Sequence, residues 1–414
     1  MNKLTKQEKS WILYDVGNSA FVLMISTIIP IYFKNLASLA GVSASNSTAY
    51  ISYGISLSTI VVALLGPILG TLADTKDYKK RLFVISAGLG IIGCSCLAIP
   101  YGWLPFLIVF IIAKIGFSGS LIFYDAMLND ITTPERIDHV SSLGYAWGYI
   151  GSCIPFSISL VLILSSDKLG VSSTSVTLFS FILVAVWWTV ITIPLLKNYK
   201  QLHYVETDEH PVKDAFVRLS KIFTELKEQK NIMWFVIAFF FYIDGVYTII
   251  DMATSYGKDV GISDNNLLLA LLLTQVVAFP CSILFGRLSK KFKSEKLIST
   301  SILGYLGISL FALQLDRAWE FWFLAVCVAV FQGAIQALSR SFFAKIIPIE
   351  KSSEYFGIYD IFGKGAAFLG TLLMGISTQI FGTSKAGVGV ISLMFVVGFA
   401  LFRKAVAENN KVLV

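Results

Sequence analysis

The sequence predicts an integral membrane protein made only of α-helices, with twelve transmembrane helices in two pseudo-repeats of six. Composition is the first reason, because 56% of the 414 residues are hydrophobic and only 14% are charged, whereas a soluble domain has about 25% charged residues. The second reason is that the apolar runs are about 20 residues long, the length that a helix needs to cross a bilayer. The third is a set of landmarks that recur at matching positions in the two halves of the chain.

The first six predicted helices form an N-terminal bundle over residues 1–196. Helix 1 follows a short basic head and carries Asp15 and Asn18 on one face. Helix 4 carries Lys114 and Asp125, which are about three turns apart and lie nearly on one face. The predicted helices cover approximately residues 11–33, 47–72, 82–99, 106–128, 140–164 and 174–196.

A long polar segment, residues 197–230, separates this bundle from a second one. The second half of the segment has apolar residues at helical spacing, which predicts an amphipathic helix lying on the membrane surface. Residues 231–414 form the C-terminal bundle, whose first helix carries Asp244 and Asp251 about two turns apart on one face. Its predicted helices cover approximately residues 232–256, 266–288, 297–315, 320–347, 353–381 and 386–402.

The distribution of positive charge predicts the topology. Clusters of Lys and Arg follow helices 2, 6 and 8 and occupy both ends of the chain, so the positive-inside rule puts both termini and the central segment in the cytoplasm. Because loop topology accounts for the net charge of +7, we expect the lipid bilayer as a partner and no nucleic acid. The short termini and minimal loops favour the plasma membrane of a prokaryote, and we expect a monomer.

The cysteine and histidine residues argue against an enzyme. All five cysteines lie in apolar runs and the three histidines lie in loops. The chain therefore offers neither a cluster of metal ligands nor a set of nucleophile and base at the membrane face. We expect no metal, no cofactor and no enzymatic activity.

Polar residues interrupt the apolar runs between residues 332 and 364. Gln332, Gln336 and Arg340 are four residues apart, which places them on one face of helix 10. Asp360 and Lys364 are also four apart, a spacing at which opposite charges can pair. Because ionisable groups in hydrocarbon are costly and mark functional sites, this stretch indicates the lining of a water-filled path, with a gate toward its cytoplasmic end.

The stretch G-T-L-A-D-T-K-D-Y-K-K-R at residues 70–81 resembles the signature that follows the second helix in the major facilitator superfamily. The resemblance implies the major facilitator fold. It also implies a close helix contact at Gly70, and it implies that Asp74, at a helix end, holds the facing half of the protein when the outer gate is open. Asp77 departs from the pattern, which has glycine there. In the second copy Lys290 takes the position of Asp74, so we expect the two halves to hold each other asymmetrically.

Longer motifs resemble one family within this superfamily, the vacuole-effluxer-like family that is named for amino-acid exporters of fungal vacuoles. They are W-I-L-Y-D-V-G-N-S-A-F in helix 1, F-Y-D-A-M-L in helix 4, F-Y-I-D-G-V-Y-T-I in helix 7, and Q-A-L-S-R-S-F-F-A-K-I-I-P with E-Y-F-G-I-Y-D-I-F-G-K around the helix 10–11 loop. The resemblance covers the whole chain and implies secondary transport of a small solute. Asp125 departs from the pattern, which has Asn there, and this puts a substrate typical of the family in doubt.

In the superfamily, helices 1, 4, 7 and 10 line the central cavity, so the resemblance makes their polar residues candidates for contact with substrate or protons. These candidates are Asp15, Asn18, Lys114, Tyr124, Asp125, Asp244, Tyr247, Asp251, Gln332, Gln336 and Arg340. The candidates for gating or structural roles are Gly70, Asp74, Arg81, Asp360 and Lys364. The alternative for every charged residue is that it pairs across helices and only stabilises the bundle.

The predicted function is export of a small solute by alternating access, coupled to protons. Mixed charges in the cavity suit a zwitterionic or amphiphilic solute such as an amino acid. Asp244 or Asp251 is the first candidate for the proton carrier, and Arg340 or Lys114 is the candidate counter-ion or anchor for an anionic group. The alternative function is a lipid or lysolipid transporter on the same fold, which the apolar helices do not exclude.

Overall fold

The computed structural model describes residues 3–99, 102–206, 225–259, 264–381 and 384–412, apart from a few helical side chains that include that of Lys364. The described residues are almost entirely helical. The helices are α1 (Lys6–Ser26), α2 (Ile28–Leu39), α3 (Ala44–Ala73), α4 (Tyr78–Cys96), α5 (Trp103–Ala126), α6 (Leu128–Ile131), α7 (Ile137–Leu164), α8 (Ser173–Asn198), α9 (Lys230–Asp259), α10 (Asp264–Leu288), α11 (Ser294–Ala312), α12 (Ala318–Ile346), α13 (Ser352–Phe381) and α14 (Ser384–Val412). Nine helical stretches within these residues are long and apolar enough to span a membrane, with α1 and α2 counted as one.

The first predicted helix is longer than expected and is broken near its middle. It begins at Lys6, where Thr5 and Glu8 form a capping box that satisfies free backbone N–H groups of the first turn. The break falls at Thr27, between α1 and α2. Pro30 lies three residues further on, and because proline has no backbone N–H to donate to the preceding turn, it removes a helical hydrogen bond next to the break.

Two pairs of residues identify the face of the molecule that carries the chain ends. Gln7, at the start of α1, donates to the carbonyl of Asn198 at the end of α8. Asn231, at the start of α9, donates to Asn409 near the end of α14. We call this side the terminal face and the opposite side the distal face. We also call α1–α8 the N-terminal half and α9–α14 the C-terminal half.

The halves pack against each other along two sets of helices, with α3 against α13 and α7 against α10 and α12. Glycines make the first of these contacts possible. A Cβ atom on Gly70 would collide with the carbonyl oxygen of Ser353, and one on Gly357 would lie 2.8 Å from that of Gly66. The backbones of α3 and α13 therefore approach as closely as small residues allow.

The polar segment after α8 does not leave the N-terminal half at once. Residues 199–205 run in extended form across the turn between α3 and α4, and Val205 donates its backbone N–H to the carbonyl of Asp74 at 2.8 Å. We call residues 199–205 the strap. The predicted amphipathic helix falls largely on residues 207–224, which lie outside the described part of the chain.

Asp77, which stands where the superfamily signature has glycine, adopts an unusual backbone conformation. Asp77 has φ 66° and ψ 0°, the left-handed region that glycine adopts without steric cost. Aspartate tolerates this region better than most residues. The glycine of the superfamily pattern and the aspartate here therefore serve the same turn, which brings Lys79 back toward α3.

Replacing Asp77 with glycine is expected to stabilise the protein slightly. Asp77 is exposed and its side chain makes no capping hydrogen bond. Glycine relieves the strain of the left-handed conformation, but it also raises the conformational entropy of the unfolded chain. The first effect should exceed the second by roughly 0.5 kcal/mol. Thermal unfolding in detergent would measure the gain. Asp77→Ala is the control, and a lower unfolding temperature for Asp77→Gly than for Asp77→Ala would contradict the explanation.

Candidate functional site

Arg340 is the centre of the most extensive polar contact between the halves. It lies on α12 and is only 2% exposed. Its Nη1 donates a hydrogen bond to Asp125 Oδ1 at 2.9 Å. Its Nη2 forms an ion pair with Asp15, at 3.6 Å from Oδ2. Its Nε donates to Ser141 Oγ at 3.0 Å, and Nη2 donates to the Ser141 carbonyl at 3.0 Å. One guanidinium is thus bound by two carboxylates and a serine of the other half.

Aromatic rings enclose the same guanidinium. Its carbon lies 4.4 Å from the ring centre of Tyr145, 4.7 Å from Trp11 and 5.7 Å from Tyr124. Trp11 and Tyr124 stack nearly parallel at 4.4 Å, and Trp11 also donates to the Tyr124 carbonyl at 2.9 Å. We call the residues around Arg340 the cage, and they are Trp11, Asp15, Tyr124, Asp125, Ser141 and Tyr145.

A second contact joins the end of α3 to the start of α13. Asp74 accepts hydrogen bonds from the backbone N–H groups of Ser353 and Glu354, both at 2.8 Å. These N–H groups belong to the first turn of α13, where no carbonyl of the helix can satisfy them and where a negative charge is stabilising. Asp74 therefore caps a helix of the opposite half. Burial raises the pKa of Asp74 to about 6, against the opposing effects of Lys79 and these hydrogen bonds.

Lys79 holds this contact together from a fully buried position. Its Nζ donates to Asp130 Oδ2 at 3.1 Å and to Ser352 Oγ at 2.9 Å, and it lies 4.0 Å from Asp74 Oδ1. Asp74 and Asp130 are contributed by the N-terminal half, whereas Ser352 begins α13 in the C-terminal half. Lys79 thus bridges the two halves, and we call Asp74, Lys79, Asp130 and Ser352 the clamp.

The strap completes the environment of the clamp. The Oδ1 atom of Asp130 accepts backbone N–H groups of Leu202 and His203 at 3.2 and 3.0 Å, and its Oδ2 accepts the Tyr199 hydroxyl at 2.6 Å. Burial would raise the pKa of Asp130, but Lys79, His203 and Tyr199 together lower it to about 2. Asp130 therefore remains ionised at neutral pH and keeps its hold on Lys79.

A third contact uses Asp138, in the first turn of α7. Its Oδ2 accepts from Lys345 Nζ at 2.9 Å and from Ser294 Oγ at 2.7 Å, and its Oδ1 accepts from Ser341 Oγ at 2.6 Å. All three donors belong to the C-terminal half. The expected asymmetry is therefore present, because the N-terminal half supplies the carboxylates of the cage, of the clamp and of this contact.

Asp251 and Lys114 are opposite charges on opposite halves. Asp251, on α9, is exposed, and Lys114, on α5, is half-buried. The two charges lie within electrostatic range of each other. Tyr247 lies one turn from Asp251 and is also within electrostatic range of Asp125 and Asp360. This tyrosine is therefore near both Asp251 and the carboxylate of the cage that Asp125 supplies.

Asp244 does not share the environment of Asp251, although the sequence places both on one face of α9. It is fully buried against α13, where it accepts the Gly370 N–H at 2.8 Å and the Thr248 hydroxyl at 3.3 Å. Its second oxygen has no hydrogen-bond partner among the described residues. A Cβ on Gly370 would collide with Asp244, so α9 and α13 enclose this carboxylate.

Gln332 is not part of the cage, and it lies near Tyr149, on α7 of the N-terminal half. It is buried and lines a cavity of about 120 Å³, together with apolar residues of α9–α14 such as Ile249, Phe321 and Leu324. Gln336, one turn closer to Arg340, is half-buried. The polar stripe on α12 therefore divides, with its first residue in a cavity and its last in the contact between the halves.

The remaining predicted residues have varied surroundings. Asn18 is buried one turn from Asp15, and Asp360 is half-buried within electrostatic range of Asp125. Arg81 is exposed and packs over Tyr78, whereas Lys79 of the same basic stretch contacts the other half through Ser352. The side chain of Lys364, and hence its predicted pairing with Asp360, lies outside the described part of the chain.

Sequence reasoning missed four charged residues of the terminal face. These are Lys79, Asp130, Asp138 and Lys345. All four belong to loop-like or basic stretches at helix ends, where charged residues are ordinarily solvated. Two of them had a signal, because Lys79 occupies a basic position of the superfamily signature and Lys345 lies within the family motif at residues 336–348. Within the described residues, no group of His, Cys, Asp and Glu side chains could hold a metal ion.

The helical fold, with its paired halves and its polar contacts between them, is that of the major facilitator superfamily, whose members are secondary transporters that work by alternating access. The structure is similar to that of the fucose transporter FucP in the outward conformation, with a TM-score of 0.70 and 14% identity over 97% of each chain. It is also similar to the proton:xylose symporter XylE, with a TM-score of 0.71 and 13% identity over 96% of this chain and 94% of that one.

Within this superfamily, the chain belongs to the vacuole effluxer Atg22-like family, whose model matches residues 4–412. The chain is 42% identical over 415 residues to the uncharacterized MFS-type transporter YxiO of Bacillus subtilis, which covers 99% of this chain and 97% of YxiO. It is 25% identical over 424 residues to autophagy-related protein 22 of Saccharomyces cerevisiae (strain YJM789), over 91% of this chain and 74% of that protein. The homologues are transporters and not enzymes.

Proposed function

We propose that this transporter exports a small zwitterionic solute, such as an amino acid, in exchange for protons. The observation that carries the proposal is that two opposite charges, Asp251 on α9 and Lys114 on α5, lie within electrostatic range of each other across the two halves, and we propose that both line the space between the halves. A zwitterion presents an ammonium and a carboxylate group a few ångströms apart, and it can pair with both residues at once. A simple cation or anion would leave one of the two charges without a ligand partner.

Neutralising either member of this pair is expected to weaken transport of an amino acid. Each charge-assisted contact contributes about 1.5–3 kcal/mol, so Lys114→Met and Asp251→Asn should each raise the apparent KM about tenfold or more. Uptake into proteoliposomes across a panel of radiolabelled amino acids would measure this. Lys34→Met, an exposed lysine, is the matched control.

An amino acid methyl ester provides the sharper comparison. It lacks the carboxylate, so its transport should respond to Asp251→Asn and be insensitive to Lys114→Met. Equal sensitivity of the ester to both variants would show that Lys114 does not bind the carboxylate.

Asp244 is the proposed carrier of the coupled proton. It is fully buried, one of its oxygens has no hydrogen-bond partner, and none of the described residues forms an ion pair with it. Burying an unpaired carboxylate is costly, and a bound proton removes that cost. Thr248, which donates to Asp244, also lines the cavity of the C-terminal half, so a change in packing there can reach the carboxylate.

Replacing Asp244 with asparagine is expected to remove the dependence of transport on a pH gradient while counterflow of the solute continues. Asparagine keeps the size of the side chain and can still accept from the Gly370 N–H, but it cannot exchange a proton. The measurement is solute flux in proteoliposomes with and without an imposed pH gradient. Unchanged dependence on the gradient would exclude Asp244 as the proton carrier, and Asp251→Asn would then be the next variant to test.

The proposed location is the plasma membrane of a prokaryote, with the terminal face in the cytoplasm and the protein acting as a monomer. Positive residues concentrate on the loops of that face, as the positive-inside rule requires. The cage, the clamp and the contact of Asp138 hold the halves together at this face. With this face in the cytoplasm, the structure is an outward-facing state. Labelling of single cysteines at exposed positions of the two faces in intact cells would test the orientation.

Transport of a lipid or lysolipid is the second candidate function. The cavity of about 120 Å³ in the C-terminal half is lined almost entirely by apolar residues, and it could accept part of an acyl chain. Movement of a spin-labelled lysolipid in proteoliposomes, measured beside the amino-acid panel, separates the two candidates. Transport of the lysolipid without transport of any zwitterion of low mass would favour this second candidate.

A further inference from the structure

The cage belongs entirely to one half of the protein, whereas its occupant belongs to the other. Trp11 and Asp15 lie on α1, Tyr124 and Asp125 on α5, and Ser141 and Tyr145 on α7, whereas Arg340 lies on α12. Alternating access requires the halves to separate at the terminal face during the cycle. Because the hydrogen bonds of the guanidinium to described residues are all to the N-terminal half, this separation withdraws Arg340 and leaves the cage empty.

An empty cage has the composition of a site for an organic cation. Its three aromatic rings lie within 5.7 Å of the position of the guanidinium carbon, inside the range of about 6 Å over which a ring attracts a cation. Its two carboxylates, Asp15 and Asp125, carry hydrogen-bonding oxygens on the same side. Opening the terminal face leaves these two carboxylates near each other without their common counter-ion, and a cation from solution that took the place of Arg340 would offset their mutual repulsion.

The space for such a cation depends on Gly144, on α7. A Cβ atom at this position would lie 2.5 Å from Asp15 Oδ2, 3.0 Å from the ring of Trp11 and 3.2 Å from Arg340 Nη2. Glycine therefore leaves room for a planar cationic group between these side chains. An alanine would displace either the carboxylate or the ring, and it would reduce the site without changing any charge.

We propose that, when the terminal face is open, the cage binds the ammonium or guanidinium group of the transported solute, and that Arg340 is the tethered occupant of the same site when that face is closed. This proposal rests on the proposed function, because it assigns the site at which the cationic group of the solute is first recognised. Solute and Arg340 then compete for one site. A bound solute keeps the terminal face open until it moves on toward Lys114 and Asp251, and its departure allows Arg340 to return.

The first test measures binding of small cations to a cage that lacks its own arginine. Purified Arg340→Ala protein is titrated with methylguanidinium or methylammonium chloride, with sodium chloride at equal ionic strength as reference. We expect a saturable rise in unfolding temperature of about 2–4 °C, and we expect no such rise in Arg340→Ala/Asp125→Asn. Absence of a rise beyond that with sodium, or an equal rise in the double variant, would overturn the proposal.

A second test uses the intact cage, so that poor folding of Arg340→Ala does not decide the matter. Spin labels on α3 and α13 at the terminal face report the distance between the halves. Methylguanidinium should shift the distribution toward longer distances in wild type and in Gly88→Ala, whose added Cβ meets nothing within 4 Å, but not in Gly144→Ala. No shift in wild type, or an equal shift in Gly144→Ala, would contradict the proposal.

The two proposals fail separately in these experiments. Binding to the cage requires no transport, so saturable binding without transport of any zwitterion would reject only the proposed solute. Transport of zwitterions that responds to Lys114→Met, combined with no binding to the cage, would reject only the role of the cage.

Discussion

Arg340→Gln is expected to abolish coupled transport and to leave the terminal face predominantly open. Glutamine occupies similar space but leaves Asp15 and Asp125 without their common counter-ion. Removing one partner from a buried ion pair costs about 3–5 kcal/mol, and this cost falls only on the closed state, because the cage and Arg340 meet only there. A bias of that size exceeds the free-energy difference of a few kcal/mol that usually separates the states of a switching protein.

Distances between spin labels on α3 and α13 would measure the population of the open state, and proteoliposome flux would measure transport. Arg403→Gln is the matched control, since Arg403 is an exposed arginine near the end of α14. Arg340→Gln/Asp125→Asn should recover part of the closed population, because it removes one of the two unpaired charges. A closed population equal to that of wild type in Arg340→Gln would contradict this account of the cage.

Lys79→Met is expected to produce the second largest effect, again toward an open terminal face. Lys79 is fully buried, and its ammonium is the group that links Asp130 of the N-terminal half to Ser352 of the C-terminal half. Methionine keeps the packing of the side chain but leaves the clamp with two carboxylates and no cation. The expected cost to the closed state is again about 3–5 kcal/mol.

The control for Lys79→Met is Lys291→Met, which changes an exposed lysine on the same face. The dependence on pH provides a further check. Because the pKa of Asp130 is lowered to about 2, its contribution to closure is complete above its ordinary pKa of about 4 and is lost only as the pH falls toward 2. Wild-type closure should therefore not lose this contribution between pH 7 and pH 5, and a fall in the closed population over that range would contradict the assignment.

The strap supports the clamp by holding Asp130, the carboxylate that Lys79 contacts. Four hydrogen bonds from Tyr199, Leu202 and His203 hold Asp130 in place. The segment between the halves is therefore more than a tether, because its first residues position the carboxylate on which Lys79 depends. Polar composition alone predicted only a linker here, since an extended segment without a regular apolar pattern has no recognisable signal in the sequence.

Several features could be read from the sequence because they depend on local composition and period. Apolar runs of membrane length predicted the helices, and the signature at residues 70–81 identified Gly70 and Asp74 as residues that face the other half. The departure at Asp77 was visible in the sequence. Its cause, a left-handed backbone that aspartate can adopt in place of glycine, required the structure.

By itself, the sequence determined the class of protein, because hydrophobic length, the repeated landmarks and the family motifs are all properties of the linear chain. Only the tertiary structure decided which charges meet. Asp244 and Asp251 share a helix face, yet one is enclosed against α13 and the other is exposed. Arg340 lies 199 positions from Ser141 and 215 from Asp125, and still further from Asp15. Such contacts depend on how the two halves pack, which helical period does not specify.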